Sequence, residues 1–212
     1  MTPRGALVLE QPPKGRYRTN EDAALLAEHA CARPLARGVV FDLGAGVGAV
    51  GLMIARAMPA IRVVLVERDP ELAALARSNA GASALAHRVE VVEGDVRAVA
   101  RARRGEAALV VCNPPWVPAG RGRAPSAGRR DAKMGDAAPF VVAARALLGR
   151  RGRACFVYPT ANLLDLLVAL RAAGLEPKGL TFVHPKAAEP ARVALIDATP
   201  GKAGGLVVAA AR

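Results

Sequence analysis

Residues 39–48 read Val-Val-Phe-Asp-Leu-Gly-Ala-Gly-Val-Gly, and they constrain this chain more than any other segment. A short β-branched and aromatic run ends in an acid. Three glycines follow at alternate positions, and an apolar stretch begins at Ala49. Glycine supplies the tight turn and lets a ligand approach the backbone without a Cβ in the way. The segment therefore predicts a buried strand, a ligand-facing turn and a helix, in that order. An all-helical or all-β chain has no use for that unit.

The same alternation continues along the chain. Strands are expected at 39–42, 62–67, 88–92, 108–112, 154–158, 180–183 and 193–197. Helices are expected at 21–32, 49–57, 70–80, 136–148 and 161–173, with Gly174 closing the last one. Residues 206–210 extend or pair with the late strands. Strands separated by helices imply parallel crossovers. The expectation is an α/β, Rossmann-like, doubly wound, mostly parallel seven-stranded sheet. Its late strands lack helical spacers, which predicts an antiparallel C-terminal edge. The 212 residues suit one domain. Residues 1–35 form a basic arm and helix belonging to it, and 36–212 form its body. Aromatics are only 3%, so the core must rest on Ala, Val and Leu.

Three cysteines without Cys-x-x-Cys spacing argue against a zinc site or disulfide framework and fit a reducing compartment. His29, His87 and His184 are not spaced for a metal, and none is expected. No signal-peptide run and no uncharged apolar stretch of about 18 residues is present. A cytoplasmic protein without membrane contact is expected, as a monomer or weak dimer.

Three acids stand at successive strand ends: Asp42, Glu67 and Asp95. Asp42 before the glycines would repel a pyrophosphate, yet it can orient a zwitterionic amino acid through its amine. Glu67 can accept hydrogen bonds from two ribose hydroxyls, and Asp95 from an adenine amine. Each taken alone also reads as an exposed strand-end acid. The glycine spacing is Gly-x-Gly-x-Gly, where dinucleotide enzymes use Gly-x-Gly-x-x-Gly. In order and spacing, residues 39–96 resemble the class I methyltransferases. The resemblance implies S-adenosylmethionine as cofactor, held by Asp42, Gly44, Gly46, Gly48, Glu67, Asp95 and Val96.

Asn113-Pro114-Pro115-Trp116 follows the fourth strand. Two prolines fix two φ angles and remove two donors, so nearby carbonyls are rigid and lack local partners. The Asn113 side-chain oxygen and the Pro114 carbonyl can both accept from one planar NH₂ group, and Trp116 can stack on the plane. The motif also reads as a turn with an aromatic plug. It resembles the Asn-Pro-Pro-aromatic signature of amino-group methyltransferases, which act on adenine N6, cytosine N4 or protein glutamine. Trp116 stands where Tyr or Phe is usual.

The chain ends narrow this. Residues 11–23, from Gln11-Pro12-Pro13-Lys14 through Asp22-Ala23, resemble the N-terminal signature of the bacterial tRNA(Val) adenine-N6 methyltransferases. His184-Pro185-Lys186-Ala187 and Ala191-Arg192-Val193 resemble their closing hairpin. The resemblance implies that Arg18, Asn20 and Asp22 line the cofactor or substrate entrance. It implies that Lys14 and Arg16, with Arg121, Arg123, Arg129, Arg130 and Lys133 of the long 117–135 loop, contact tRNA. The formal charge of +12 fits a polyanionic partner. A GC-rich genome is the compositional alternative. The other functional readings are a protein glutamine methyltransferase, a small-molecule N-methyltransferase, a nicotinamide oxidoreductase, and a non-catalytic RNA-binding domain on the same fold.

Overall fold

The computed structural model describes residues 7–12, 21–114, 137–186, 188–201 and 203–210. Helix α1 (Glu21–Cys31) leads into β1 (Gly38–Leu43), α2 (Ala49–Ala57), β2 (Ile61–Glu67), α3 (Pro70–Ala82) and β3 (Val89–Glu93). Then come α4 (Val96–Ala102), β4 (Ala107–Cys112), α5 (Ala138–Leu147) and β5 (Leu148–Pro159). A 3-10 turn, Thr160–Asn162, precedes α6 (Leu163–Ala172), and β6 (Leu175–Val183), β7 (Val193–Pro200) and β8 (Val207–Val208) close the chain.

These strands form one sheet in the order β3-β2-β1-β4-β5-β7-β6-β8. The first five are mutually parallel, and β7 runs antiparallel to both β5 and β6. The doubly wound sheet with an antiparallel edge is thus present. The count of seven needs one correction: residues 207–208 add an eighth strand, parallel to β6 at Gly179 and Leu180. The 206–210 run is short because only two of its residues find register.

Both faces of the sheet are covered. Phe41, Leu43, Val66, Val110 and Phe156 pack with Val99, Val141 and Leu166 on the side of α4, α5 and α6. Val40, Val63, Leu65, Leu109 and Val157 pack with Leu26, Leu52 and Ala76 on the side of α1, α2 and α3. Alternate residues of one strand therefore serve opposite cores. That is why β2 and β4 read as near-continuous aliphatic runs. Among the fully buried large side chains only Phe41 and Phe156 are aromatic. Tyr158, Met58, Cys112 and Cys155 are buried as well, and the rest of the core is aliphatic.

Helix α3 starts where its sequence directs. The Asp69 carboxylate accepts from the amides of Glu71 (2.9 Å) and Leu72 (3.3 Å), and Pro70 fills the first position. Helix α4 was not expected. Asp95 starts it by accepting from the Arg97 and Ala98 amides, and Val99 and Ala100 bury against the core shared with α5. Strand β5 begins six residues before the expected start, and β6 begins five residues before. No helix of the described residues is long and apolar enough to cross a membrane.

Candidate active site

The strand order reverses between β1 and β4, which leave opposite sides of the sheet's centre through their crossovers. Ligands of open α/β sheets bind at that point, beyond the carboxyl ends of the strands. The register puts Leu43 of β1 beside Cys112 of β4, so Gly44 and Asn113 emerge on neighbouring strands. Such strands lie about 4.8 Å apart. Leu43 also pairs with Val66, which brings Glu67 to the other side of the same turn. A pocket forms here, lined by Ala23, Asp42, Gly44, Gly46, Val50 and Asn113 among others.

The glycine turn is folded tightly onto β2. The amides of Gly44 (2.9 Å) and Ala45 (3.0 Å) both donate to the Val66 carbonyl. The Gly46 amide donates to Glu67 Oε2 at 2.8 Å. Gly44 and Gly48 have φ of 71° and 86°, a left-handed conformation costly for other residues. A Cβ on Gly44 would lie 3.1 Å from the Phe140 ring, and one on Gly48 2.8 Å from Leu65. Space and dihedral both demand glycine at these two positions. Three successive amides are turned away from the pocket toward β2. A pyrophosphate would find carboxylates there in place of a nest of N–H groups, which argues against a dinucleotide.

Asp42 lies beneath α2, 2% exposed, and its Oδ2 accepts from the Gly51 amide at 2.9 Å. Burial pushes its carboxyl up to about 7, the Gly51 bond pulls it down, and the neighbouring Glu67 raises it further. A positively charged ligand group is what such a carboxyl needs to ionise fully. Glu67, 8% exposed, braces the turn through Gly46 and accepts from the Asp69 amide at 2.9 Å. Each carboxylate oxygen has two lone-pair sites, so Glu67 keeps acceptor capacity. Asp95 is more heavily engaged. A hydrogen bond from the Arg97 side chain, with the Arg97 and Ala98 amides, holds its carboxyl below the usual range against the upward push of burial. Val96 is buried in the first turn of α4. Helix α2 has Gly48 at its N-cap and no side-chain cap, and its first turn reaches the pocket through Ala49 and Val50. The acids present fit an adenosyl amino acid: carboxylates for an ammonium and for hydroxyls.

Asp22 is 1% exposed and is held by Arg192 Nη2 at 2.6 Å. It pins the start of α1 to the loop before β7, and Ala23 beside it lines the pocket. Arg192 was not singled out for this role, since only the fold brings residues 170 apart together. Asn79 was missed too. Its amide oxygen accepts from the Glu10 amide (2.7 Å), and its NH₂ donates to the carbonyls of Glu10 (3.1 Å) and Val47 (3.0 Å). Residues 7–11 are thereby tied to the glycine turn. Lys14, Arg16, Arg18, Asn20, Pro115, Trp116, Arg121, Arg123, Arg129, Arg130 and Lys133 lie outside the described residues. Of the expected catalytic motif, Asn113 and Pro114 are described: Asn113 lines the pocket and Pro114 is buried.

A second polar cluster lies behind α1. His29, Cys155 and Asp197 place ligand-type atoms within 4.8 Å of one another, a proximity the sequence spacing does not suggest. Arg153 Nη1 lies 2.8 Å from Cys155 Sγ and 3.4 Å from Asp197 Oδ1. Its Nη2 donates to the carbonyls of Ala30 (2.8 Å) and Arg33 (2.7 Å). The guanidinium supplies the positive charge at the centre of this group, and burial raises the Cys155 thiol well above its usual value. The cluster anchors the end of α1 to β5 and β7. His184 bonds the Glu189 carbonyl at 2.7 Å within its own loop.

Comparison with known proteins agrees with this geometry. The family model described as methyltransferase small domain matches residues 16–159. A tRNA1(Val) (adenine(37)-N6)-methyltransferase of Porphyromonas gingivalis is 32% identical over 151 residues, covering 68% of this chain and 58% of that protein. A release factor glutamine methyltransferase of Mycolicibacterium smegmatis is 38% identical over 119 residues, 55% of this chain and 41% of that one. The chain thus spans less than two thirds of these curated relatives. A crystal structure of a predicted O-methyltransferase from Agrobacterium tumefaciens superposes with a TM-score of 0.68 at 27% identity, covering 90% of this chain and 86% of that one. With the family model spanning more than half of its length, the chain belongs to the methyltransferase small domain family.

Proposed function

We propose that this protein is an S-adenosylmethionine-dependent methyltransferase acting on an exocyclic amino nitrogen, adenine N6 in tRNA. The observation that carries the reading is Asn113 at the pocket wall, one strand across from Gly44 and beside buried Asp42. Asp42 receives the ammonium of the cofactor, Glu67 its ribose hydroxyls, and Asp95 with Val96 its adenine. Bound S-adenosylmethionine supplies a methyl group on a positively charged sulfur.

The Asn113 amide oxygen and the Pro114 carbonyl accept from the two hydrogens of the target NH₂. That double acceptance fixes the amine and favours tetrahedral nitrogen, which frees the lone pair for the methyl carbon. Asn113 and Pro114 would hold the amine for the methyl group that bound S-adenosylmethionine would supply, and the surplus proton of the amine would pass to water. No strong base is required beforehand, so the chain contributes chiefly position and electrostatics. Trp116 gives the base a stacking surface.

Two things support RNA as acceptor: the tRNA-modifying relatives and the charge of the flanking segments. Residues 13–20 and 115–136 carry eight Lys or Arg against two acids. Phosphate contacts of that kind grip without reading sequence. The glutamine-modifying relative favours a second reading, in which the planar acceptor is a protein amide. Asn113→Ala tests the mechanism: turnover falls by about 10²-fold or more while calorimetric titration shows S-adenosylmethionine binding nearly intact. Unchanged turnover rules the double acceptance out.

A further inference from the structure

Four arginines gather at the opposite end of the sheet from the pocket, where β4 and β5 begin. Arg104 follows α4, Arg145 is in the last turn of α5, and Arg150 and Arg151 lie in the opening residues of β5. The backbone brings these turns together. The Gly105 amide donates to the Ala146 carbonyl at 3.0 Å. A Cβ on Gly149 would sit 3.3 Å from the Gly105 carbonyl, and one on Gly152 2.9 Å from the Ala107 carbonyl. Two glycines thus press the start of β5 onto the approach to β4, and Arg150 and Arg151 between them are exposed. Arg104 and Arg145 are exposed too, and they flank a shallow hollow floored by Val142, Ala146 and Ala173.

The nearest acid along the chain, Glu106, is taken by Arg103 at 2.6 Å. Among the described residues none of the four arginines makes an ion pair. Favourable interaction with a helix dipole accounts for Arg145 at the end of α5. It does not account for a pair of arginines held between glycines at a strand start. Four like charges on adjoining turns oppose folding slightly by self-repulsion, and an anionic partner removes that cost. Guanidinium groups over an apolar floor suit phosphates with a base laid against the floor.

We infer that Arg104, Arg145, Arg150 and Arg151 form a second nucleic-acid contact, gripping the phosphate backbone of an RNA whose target base is in the pocket. The inference rests on the RNA reading above. The six residues of β4, at about 3.3 Å each, separate the two ends by about 20 Å. A stacked strand, at about 3.4 Å per phosphate, covers that span in roughly six nucleotides from the target. The face therefore acts on long substrates only.

The test replaces all four arginines by glutamine, with Arg150→Gln/Arg151→Gln as a milder second variant. Affinity is measured for total tRNA at several salt concentrations, and for the same pool cut to about four nucleotides. Melting temperature and S-adenosylmethionine affinity report folding. The expected result is at least tenfold weaker binding of intact tRNA, with a log–log salt slope shallower by about three, since each phosphate contact contributes about 0.7–0.9. Binding of the fragments stays unchanged. An unchanged slope for intact tRNA overturns the inference, as does equal weakening for fragments. So does polyglutamate competing as well as tRNA, which would make this a face for acidic protein. A protein that grips intact tRNA through this face but never methylates it refutes the proposed activity alone. One that methylates tRNA with unchanged salt slopes refutes this contact alone.

Discussion

Asp42 offers a prediction in which stability and function move in opposite directions. Its carboxyl sits at about 7 in the fold against an ordinary 3.8, because it is buried beneath α2. The fold thus favours the protonated form. The stabilisation that follows is complete below the ordinary value and is lost as pH rises through about 7. A shift of about three units at 1.36 kcal/mol each makes holding this carboxyl in the fold cost about 4 kcal/mol at pH 8, where it is ionised, and about 2 kcal/mol at pH 5, where it must stay protonated. Asn at this position carries no charge and keeps an oxygen for the Gly51 amide. Asp42→Asn should therefore be more stable than the parent. With about 2.1 cal/mol/K of unfolding entropy per residue, the gain in Tm is about 9 °C at pH 8 and about 4 °C at pH 5. The same change removes the charge proposed to receive the cofactor's ammonium. Affinity for S-adenosylmethionine should fall 10- to 100-fold, roughly the 1.5–3 kcal/mol of a hydrogen bond to a charged group. Scanning calorimetry without cofactor at the two pH values, then titration with it, reads both effects. A Tm at or below the parent's at pH 8, or a gain independent of pH, would refute the reasoning.

Three other substitutions probe the frame around the pocket. A methyl group on Gly51 would collide with Leu65, and would come within 3.0 Å of Val63 and 3.2 Å of Asp42 Oδ2. Gly51→Ala should lower stability by about 1–3 kcal/mol, the usual cost of overpacking; denaturant unfolding with an unchanged midpoint would contradict the packing described. Asn79→Leu strands the Val47 carbonyl and releases Glu10, so about 3 kcal/mol should be lost. Ser83→Ala, which loses only the paired bonds to Val8, should cost clearly less, and equal Tm losses would show that Asn79 has no special hold on the turn.

Much of this architecture is legible in local patterns. The unit from β1 to α2 follows from one acid, three glycines and an apolar run, and α2 falls at the expected bounds. Pairing across the sheet then brings Asp42, Glu67 and Asn113 to one place, because acids and Asn stand at strand ends. Local pattern fails where one residue serves two purposes. Asp95 reads as a ligand, which hid its part as the N-cap of α4, a helix too short to show a period. The strand expected at 180–183 leaves out Pro177 and Gly179, yet β6 absorbs them in a register shift against β7. The strand expected at 154–158 leaves out Gly149 and Gly152, which lie in the opening residues of β5. The group of His29, Arg153, Cys155 and Asp197 draws on three elements, and no spacing along the chain announces it.

The central claim is methyl transfer to an adenine amine in RNA. Tritiated methyl transfer from S-adenosylmethionine to total RNA and total protein, run in parallel and followed by nucleoside and amino-acid analysis, tests it directly. The account predicts label in RNA, recovered as N6-methyladenosine and lost with Asn113→Ala. Label in protein glutamine, or in neither fraction, would contradict it.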